Sequence, residues 1–234
     1  MINLYAGQGT ANMGDFLNCL PVLSGIYNSY GKIDLIIQND MKKFNGFRDL
    51  LCYQEMFNSV KFESEITNPV KCIPFNSWVD DFSFDGVNPI ETSRYEKAFK
   101  LFANLNFNVD SDFILQIPNL NVGYRDIIVG DRCVQTTSDK RRSCDVIKSS
   151  GKFSDVGYLD FSNSCIYNAN IIKNCTKFIT TFTGVAVLAD LMNVPFDVYY
   201  TADFDGWSDQ SIEFTYKKHF YLNRNSTLKL LESI

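Results

Sequence analysis

Short apolar runs alternate with amphipathic stretches along the first half of the chain. Residues 2–7 and 32–38 are apolar runs that predict buried strands, and residues 59–64 predict a third strand. The stretch 16–31 predicts a helix, because its apolar residues recur at steps of three and four and because Gly31 can end it. Residues 41–57 predict a second amphipathic helix. Strands that alternate with helices favour a parallel sheet with helices on both faces.

The alternation returns in the second half, after a less regular middle. Residues 70–93 contain Pro74 and Pro89 and predict a loop-rich region. A helix is expected from Ser93 to Asn104. The stretch 108–124 is polar and is interrupted by Pro118, so it predicts a linker between domains. The expected fold class is therefore α/β, with two Rossmann-like domains, residues 1–115 and 116–234, and an interdomain cleft. Beyond the linker, strands are predicted at 126–134, 155–162, 177–182 and 195–201, the last of them closing the sheet, and helices at 166–175 and 183–194.

Composition narrows the function classes. A formal net charge of −5 and a pI near 4.9 argue against a protein that coats nucleic acid or membrane by bulk electrostatics. The seven cysteines include no CxxC pair, which favours a reduced cytoplasmic protein over a disulfide framework or a four-thiolate zinc site. No apolar run is long enough to span a membrane, so no anchor is expected. The single histidine, His219, is expected to be structural. A catalytic triad or a histidine-rich metal site is therefore not expected.

The first candidate for chemistry is Asp15, which follows Gly14 where the first strand gives way to a helix. An aspartate at the start of a helix can act as the N-cap, accepting hydrogen bonds from backbone N–H groups. The functional alternative is a general base that takes a proton from an acceptor hydroxyl. Both interpretations stay open at the level of sequence.

The second candidate is the pair Thr183-Gly184, again where a strand leads into a helix. The N-terminus of a helix offers N–H groups and partial positive charge, which suit a diphosphate, although an ordinary capped helix has the same sequence pattern. A third candidate is the basic loop Lys140-Arg141-Arg142, which is either a solvated charge run or a group that neutralises phosphates. The acidic string Asp203-Phe204-Asp205 is expected to be an exposed turn and not a metal site.

Two strings together resemble the heptosyltransferase-like family of inverting GT-B glycosyltransferases. The string 13–31 is similar to the family's N-terminal loop and helix, and the string 181–200 is similar to its donor-binding turn. The basic loop also falls where the family places a lysine near the donor. The matching residues are Gly14, Asp15, Leu20, Pro21 and Leu23 in the first string, and Thr183, Gly184, Leu188, Ala189 and Pro195 in the second.

The resemblance implies roles for these residues. Asp15 would be the catalytic base, with Asn12, Met13 and Gly14 forming an acceptor-side loop in the N-terminal domain. Thr183 and Gly184 would bind the donor diphosphate in the C-terminal domain, and Lys140, Arg141 and Arg142 would assist the leaving group without a metal ion. Two positions depart from the family pattern, since Phe182 stands where an aspartate is common and Val187 where a histidine is common.

The expected activity is therefore transfer of a hexosyl or pentosyl group from a nucleotide sugar, and the expected nucleotide is UDP. No cofactor, metal ion or membrane insertion is expected. The acceptor is hypothesised to be hydroxymethylcytosine in phage DNA, modified in the host cytoplasm. The alternatives are a transferase acting on a cell-surface glycan, a non-catalytic nucleotide-sugar-binding module of the same fold, and an unrelated doubly wound protein. Release of nucleotide from UDP-, GDP- or ADP-sugars separates an enzyme from a binding module.

Overall fold

Two wholly parallel sheets organise the chain, as a computed structural model shows. It describes residues 2–6, 12–68, 71–75, 105–124, 126–130, 151, 156–201 and 225–231. The chain divides into two compact units, Met1–Gln116 and Ile117–Ile234, with one sheet in each. The expected α/β class with parallel sheets is therefore confirmed, while the acceptor-side and donor-side roles of the two units stay predictions.

The sheet of the first unit has the strand order β3-β2-β1-β4. Alternate residues of β1 and β2, such as Leu4 and Leu35, are at most 1% exposed, which gives these strands one buried face. The elements of this unit are β1 (Ile2–Ala6), α1 (Met13–Leu17), α2 (Leu20–Tyr30), β2 (Ile33–Ile37), a 3₁₀ helix (Asn39–Lys43), α3 (Phe47–Cys52), β3 (Phe57–Phe62), a second 3₁₀ helix (Glu63–Glu65) and β4 (Ile73–Phe75).

Two of the three helices predicted in this unit are interrupted, and the third, expected from Ser93 to Asn104, lies outside the described residues. The predicted helix 16–31 is two helices, because Pro21 has no N–H group for a helical bond to the preceding turn and is instead accommodated at the start of α2. Gly31 ends α2 as predicted, with a φ of 80° and its N–H bonded to Tyr27. The predicted helix 41–57 is also wrong, since Gly46, with a φ of 71°, separates a 3₁₀ helix from the short α3. The region 70–93, predicted to be rich in loops, includes β4.

The segment 105–116 packs on α2 and is not a free polar linker. Asp110 accepts a hydrogen bond from the Ser24 hydroxyl at 2.6 Å and donates its N–H to the carbonyl of Pro21 at 3.1 Å. The Tyr30 hydroxyl bonds both backbone groups of Asn106. Within the predicted linker 108–124, residues 108–116 are therefore packed, because Asp110 bonds to α2 while the apolar residues are buried. The buried apolar residues here are Phe107, Phe113 and Leu115.

Two buried amides hold the chain on either side of the boundary between the units. In the first unit, Gln54 donates to the carbonyl of Gln116 at 2.8 Å and accepts from the N–H of the same residue at 3.0 Å. In the second unit, Asn170 donates to the carbonyl of Pro118 and accepts from the N–H of Leu120, both at 3.0 Å. Each amide satisfies two backbone groups much as a neighbouring strand would.

The sheet of the second unit has the strand order β6-β5-β7-β8-β9. One face carries a buried cluster of Val129, Ile179 and Tyr199. Within the part of the chain that the structure describes, no helix combines the length and apolar character that crossing a bilayer requires. The elements are β5 (Ile127–Gly130), β6 (Gly157–Tyr158), α4 (Cys165–Lys173), β7 (Lys177–Thr180), α5 (Gly184–Leu191), β8 (Phe196–Thr201) and β9 (Ser226–Leu231).

The last strand, β9, was not predicted. The expectation that residues 195–201 close the sheet is wrong, because β9 pairs in parallel with the whole of β8, from Phe196 opposite Ser226 to Thr201 opposite Leu231. None of its side chains from Ser226 to Leu230 is buried. Lys229 adds an ion pair across the ladder, at 2.8 Å from Asp197.

Candidate functional site

Asp15 is the third residue of α1, just beyond the carboxyl end of β1. The N-cap position, which the sequence offered as one role for Asp15, belongs to Asn12. The side-chain amide of Asn12 donates to the Asp15 carboxylate at 3.4 Å. The residues from Asn12 through Met13 and Gly14 to Asp15 are partly exposed, whereas Phe16 is fully buried. The loop side of α1 therefore presents Asp15 together with the predicted acceptor-side residues.

A second carboxylate, Glu63, lies at the same edge of the first sheet. Glu63 follows β3, and the carboxyl ends of parallel strands share one edge. Its carboxylate accepts the hydroxyl of Tyr5, from β1, and the N–H of Asn39, which follows β2, the latter at 3.1 Å. The hydrogen bond to Glu63 is the main cause that raises the pKa of Tyr5 to about 12. Sequence reasoning missed Glu63, and its position directly after a strand was the signal that could have found it.

The turn from β7 into α5 has Thr183 as the N-cap of the helix. The Thr183 hydroxyl accepts a hydrogen bond from the N–H of Ala186 at 3.4 Å, and its carbonyl accepts from Ala186 and Val187. From residue 178 to residue 192, Gly184 is the one residue that is not buried. These bonds use the N–H groups of Ala186 and Val187. The first two N–H groups of α5, on Gly184 and Val185, lie at the point where the turn opens.

The two departures from the family pattern are core residues. Phe182 is 2% exposed, and Val187 is fully buried. Neither position therefore carries the carboxylate or the imidazole that the family pattern has there.

Other sequence-based candidates lie outside the described residues. This applies to the basic loop Lys140, Arg141 and Arg142, to the acidic string 203–205 and to His219. Among the residues that are described, no three histidine, cysteine or acidic side chains group as ligands for a metal ion.

Comparison with solved structures identifies the fold. An Escherichia coli heptosyltransferase, WaaC with ADP, aligns with 100% of this chain and 94% of its own at a TM-score of 0.54 and 11% identity. A glycosyl transferase family 9 structure from Veillonella parvula aligns with 99% of this chain and 87% of its own at a TM-score of 0.59 and 10% identity. The chain has the fold of the heptosyltransferase-type glycosyltransferases. The iron-containing dodecameric glycosyltransferase TibC of E. coli also aligns, at a TM-score of 0.51 and 9% identity, over 85% of this chain and 57% of its own.

Sequence comparison adds little to this structural likeness. No family model matches the chain. One curated relative, the peroxisomal ATPase PEX6 of Eremothecium gossypii, is 32% identical over 128 residues, which is 55% of this chain but 12% of that protein's length. Because the chain spans 12% of that protein's length, the match carries no activity to this chain.

Proposed function

We propose that the chain is an inverting, metal-independent glycosyltransferase that uses a nucleotide-sugar donor. The donor diphosphate binds at the N-terminus of α5, and Asp15 acts as the base that takes the proton of the acceptor hydroxyl. The observation that carries the proposal is the accessible turn at Gly184, on a fold whose solved neighbours include a heptosyltransferase with ADP.

The chemistry of the turn supports a diphosphate ligand. The N–H groups of Gly184 and Val185 are two donors at the positive end of a helix, where an anion is stabilised. Because Gly184 has no side chain, a phosphate group can approach the backbone closely. The same donors stabilise the charge that builds on the leaving diphosphate during transfer. The basic residues Lys140, Arg141 and Arg142 would add positive charge to the leaving group, as the family resemblance implies.

The role of Asp15 is tested by the variant Asp15→Asn. Loss of a general base is expected to lower kcat by about 10²- to 10⁴-fold while the donor Kd stays within about twofold, because the base acts in the transition state and not in donor binding. Asp49→Asn is the matched control, since Asp49 is an exposed aspartate in the first turn of α3 and the variant changes the same charge. Equal losses of stability and activity in Asp15→Asn would instead assign Asp15 a structural role.

The donor is identified by incubating the chain with UDP-, GDP- and ADP-sugars and measuring nucleotide release. The sequence analysis expects UDP, whereas WaaC was solved with ADP and TibC with ADP-D-beta-D-heptose. Both nucleotides therefore belong in the panel, with heptose and hexose forms of each.

The acceptor hypothesis is hydroxymethylcytosine in phage DNA, modified in the host cytoplasm, and it depends on the basic loop 140–142. It predicts that duplex DNA containing this base binds with an affinity that falls as salt rises. Binding that is insensitive to both salt and the modified base would exclude it, and a cell-surface glycan would become the next acceptor to assay.

A non-catalytic nucleotide-sugar-binding module is the second candidate. The burial of Phe182 and Val187, where the family has polar residues, favours it. Such a module would bind a donor but release no nucleotide with any acceptor.

A further inference from the structure

A cavity of about 340 Å³ lies on one face of the first sheet, within the size range of small-molecule pockets. Polar and charged side chains of β2 and β3 line it together with two isoleucines, and neither Asp15 nor Glu63 does. The cavity is therefore separate from the two carboxylates at the edge of the sheet. The residues that give it its chemistry are Asp34, Ile36, Asn58, Ser59, Lys61 and Ile66.

Asp34 is a charged residue at a position where the fold favours an apolar one. It belongs to β2, an inner strand between β3 and β1. Inner strands of parallel sheets usually carry apolar side chains on both faces. On the other face β2 follows this rule, with Ile33, Leu35 and Ile37 all buried. The half-buried carboxylate of Asp34 loses hydration, so it needs hydrogen-bond donors in compensation.

A β-bulge in β3 brings two such donors to Asp34. Ile33 lies opposite Phe57, but Asp34 lies opposite Ser59, so Asn58 is an extra residue in the ladder. The side-chain amide of Asn58 donates to Oδ1 of Asp34 at 2.9 Å, and the Ser59 hydroxyl donates to the same oxygen at 2.6 Å. Consecutive residues of a regular strand point to opposite faces, and bulges are rare between parallel strands. The bulge therefore lets two neighbouring residues orient one carboxylate.

This arrangement leaves two groups of opposite charge at the cavity. Among the residues that the structure describes, none donates a hydrogen bond to the second oxygen of Asp34, Oδ2. Lys61 is exposed, lies two residues beyond Ser59 on the same face of β3, and makes no ion pair with any described residue. Asp34 and Lys61 thus line one cavity without pairing with each other.

The two charges select the class of ligand. A simple anion would be attracted by Lys61 and repelled by Asp34, and a simple cation would experience the reverse. A zwitterion satisfies both, with its ammonium group on Oδ2 of Asp34 and its carboxylate on the Lys61 ammonium. Strand geometry places the backbones of the two residues about 8 Å apart, a span that suits an α-amino acid with a hydrogen bond at each end.

The apolar part of the lining indicates the side chain of this ligand. Ile36 and Ile66 are half-buried residues of the same cavity. Burial of an aliphatic side chain against them would add favourable apolar contact to the two charged hydrogen bonds.

We propose that this cavity binds a free α-amino acid with an aliphatic side chain, Asp34 taking its ammonium group and Lys61 its carboxylate. The site is independent of the proposed glycosyl transfer, because it shares no residue with the α5 turn or with Asp15.

The first test is an NMR titration of the ¹⁵N-labelled full chain with L-leucine. Saturable shifts are expected at the backbone amides of Asp34, Ser59 and Lys61, with a Kd of about 1 mM or tighter. Two analogues serve as matched probes: leucinamide lacks the carboxylate, and N-acetyl-leucine lacks the ammonium group. Each should bind about tenfold more weakly than leucine, because each loses one charged hydrogen bond. Glucose, a neutral polyol, should leave these amides unshifted.

The second test uses two variants that remove one charge each. Asp34→Asn keeps the oxygen that accepts from Asn58 and Ser59, and Lys61→Met keeps a long unbranched side chain. Each should raise the Kd of leucine by about tenfold. Asp49→Asn and Lys173→Met remove the same charges at exposed positions elsewhere and should leave the Kd within about twofold of the wild-type value.

Several results would overturn the proposal. They are the absence of saturable shifts with about 10 mM leucine, equal binding of leucine and either analogue, wild-type affinity in Asp34→Asn or Lys61→Met, and shifts produced by glucose but not by leucine. If a variant does not fold, the three leucine compounds decide on the wild-type chain alone. Nucleotide release from sugar donors is measured separately, so failure of either proposal leaves the other standing.

Discussion

Replacing Gly25 with alanine tests how closely the segment 105–116 packs on α2. A Cβ atom at this position would lie 2.0 Å from the carbonyl oxygen of Asn108 and 3.2 Å from the Cα of Val109. Either the helix or the segment must move by more than about 1 Å to accept it. Neither can move easily, because α2 is buried from Leu20 to Ile26 and both contacts are with backbone atoms.

The magnitude follows from two opposing effects. Alanine has the better helix propensity, by about 1 kcal/mol, which favours the variant. Overpacking costs about 1–3 kcal/mol and occasionally more, and contact with backbone atoms of Asn108 and Val109 places Gly25→Ala at or above the upper end. The free energy of unfolding should therefore fall by about 2 kcal/mol, and the thermal midpoint by about 4–8 °C.

Urea unfolding followed by far-UV circular dichroism measures this change. Asn28→Ala is the control in the same helix, since Asn28 is exposed and its substitution should shift stability by no more than about 0.5 kcal/mol. A Gly25→Ala variant as stable as the wild type, or more stable, would refute the close packing of this segment.

Two further predictions concern stability. The pKa of Tyr5 is raised on folding from 10.0 to about 12, so the stability from its bond to Glu63 is fully present below pH 10 and is lost as pH rises toward 12. Tyr5→Phe should remove about 1 kcal/mol at neutral pH and abolish that alkaline loss, and an unchanged pH profile in urea unfolding would contradict this. Gln54→Leu and Asn170→Leu should each lower the free energy of unfolding by about 1–3 kcal/mol by leaving backbone groups of the connecting segment unpaired. Unchanged hydrogen exchange at the Gln116 amide in the first variant, or at the Leu120 amide in the second, would contradict a stabilising role for these side-chain hydrogen bonds.

Elements with a strong apolar pattern were predictable from the sequence. The strand β2 alternates buried Ile33, Leu35 and Ile37 with half-buried residues, and the start of α5 at Thr183 and Gly184 follows from their capping chemistry. Elements that are held by contacts with residues far away in the sequence were not predictable in this way. The strand β9 is held by pairing with β8, and residues 105–116 are held by polar bonds to α2 and by buried apolar side chains. These contacts join residues that are far apart in the sequence.

The candidate site also has features that the sequence predicted and features that it did not. Sequence alone drew attention to Asp15 and to the Thr183-Gly184 turn, because both stand where a strand leads into a helix. It could not show the contact of Glu63 with Tyr5, which lies 58 residues away in the sequence. Such contacts are decided by which strands become neighbours in the sheet.

The most direct test of the central claim is an NMR titration of the ¹⁵N-labelled protein with ADP and with UDP. The account predicts that the largest amide shifts fall on Gly184 and Val185, at the start of α5, and that Gly46, at the start of the short α3, does not shift. Saturable binding with its largest shifts away from the α5 turn, or no binding of either nucleotide at millimolar concentration, would contradict it.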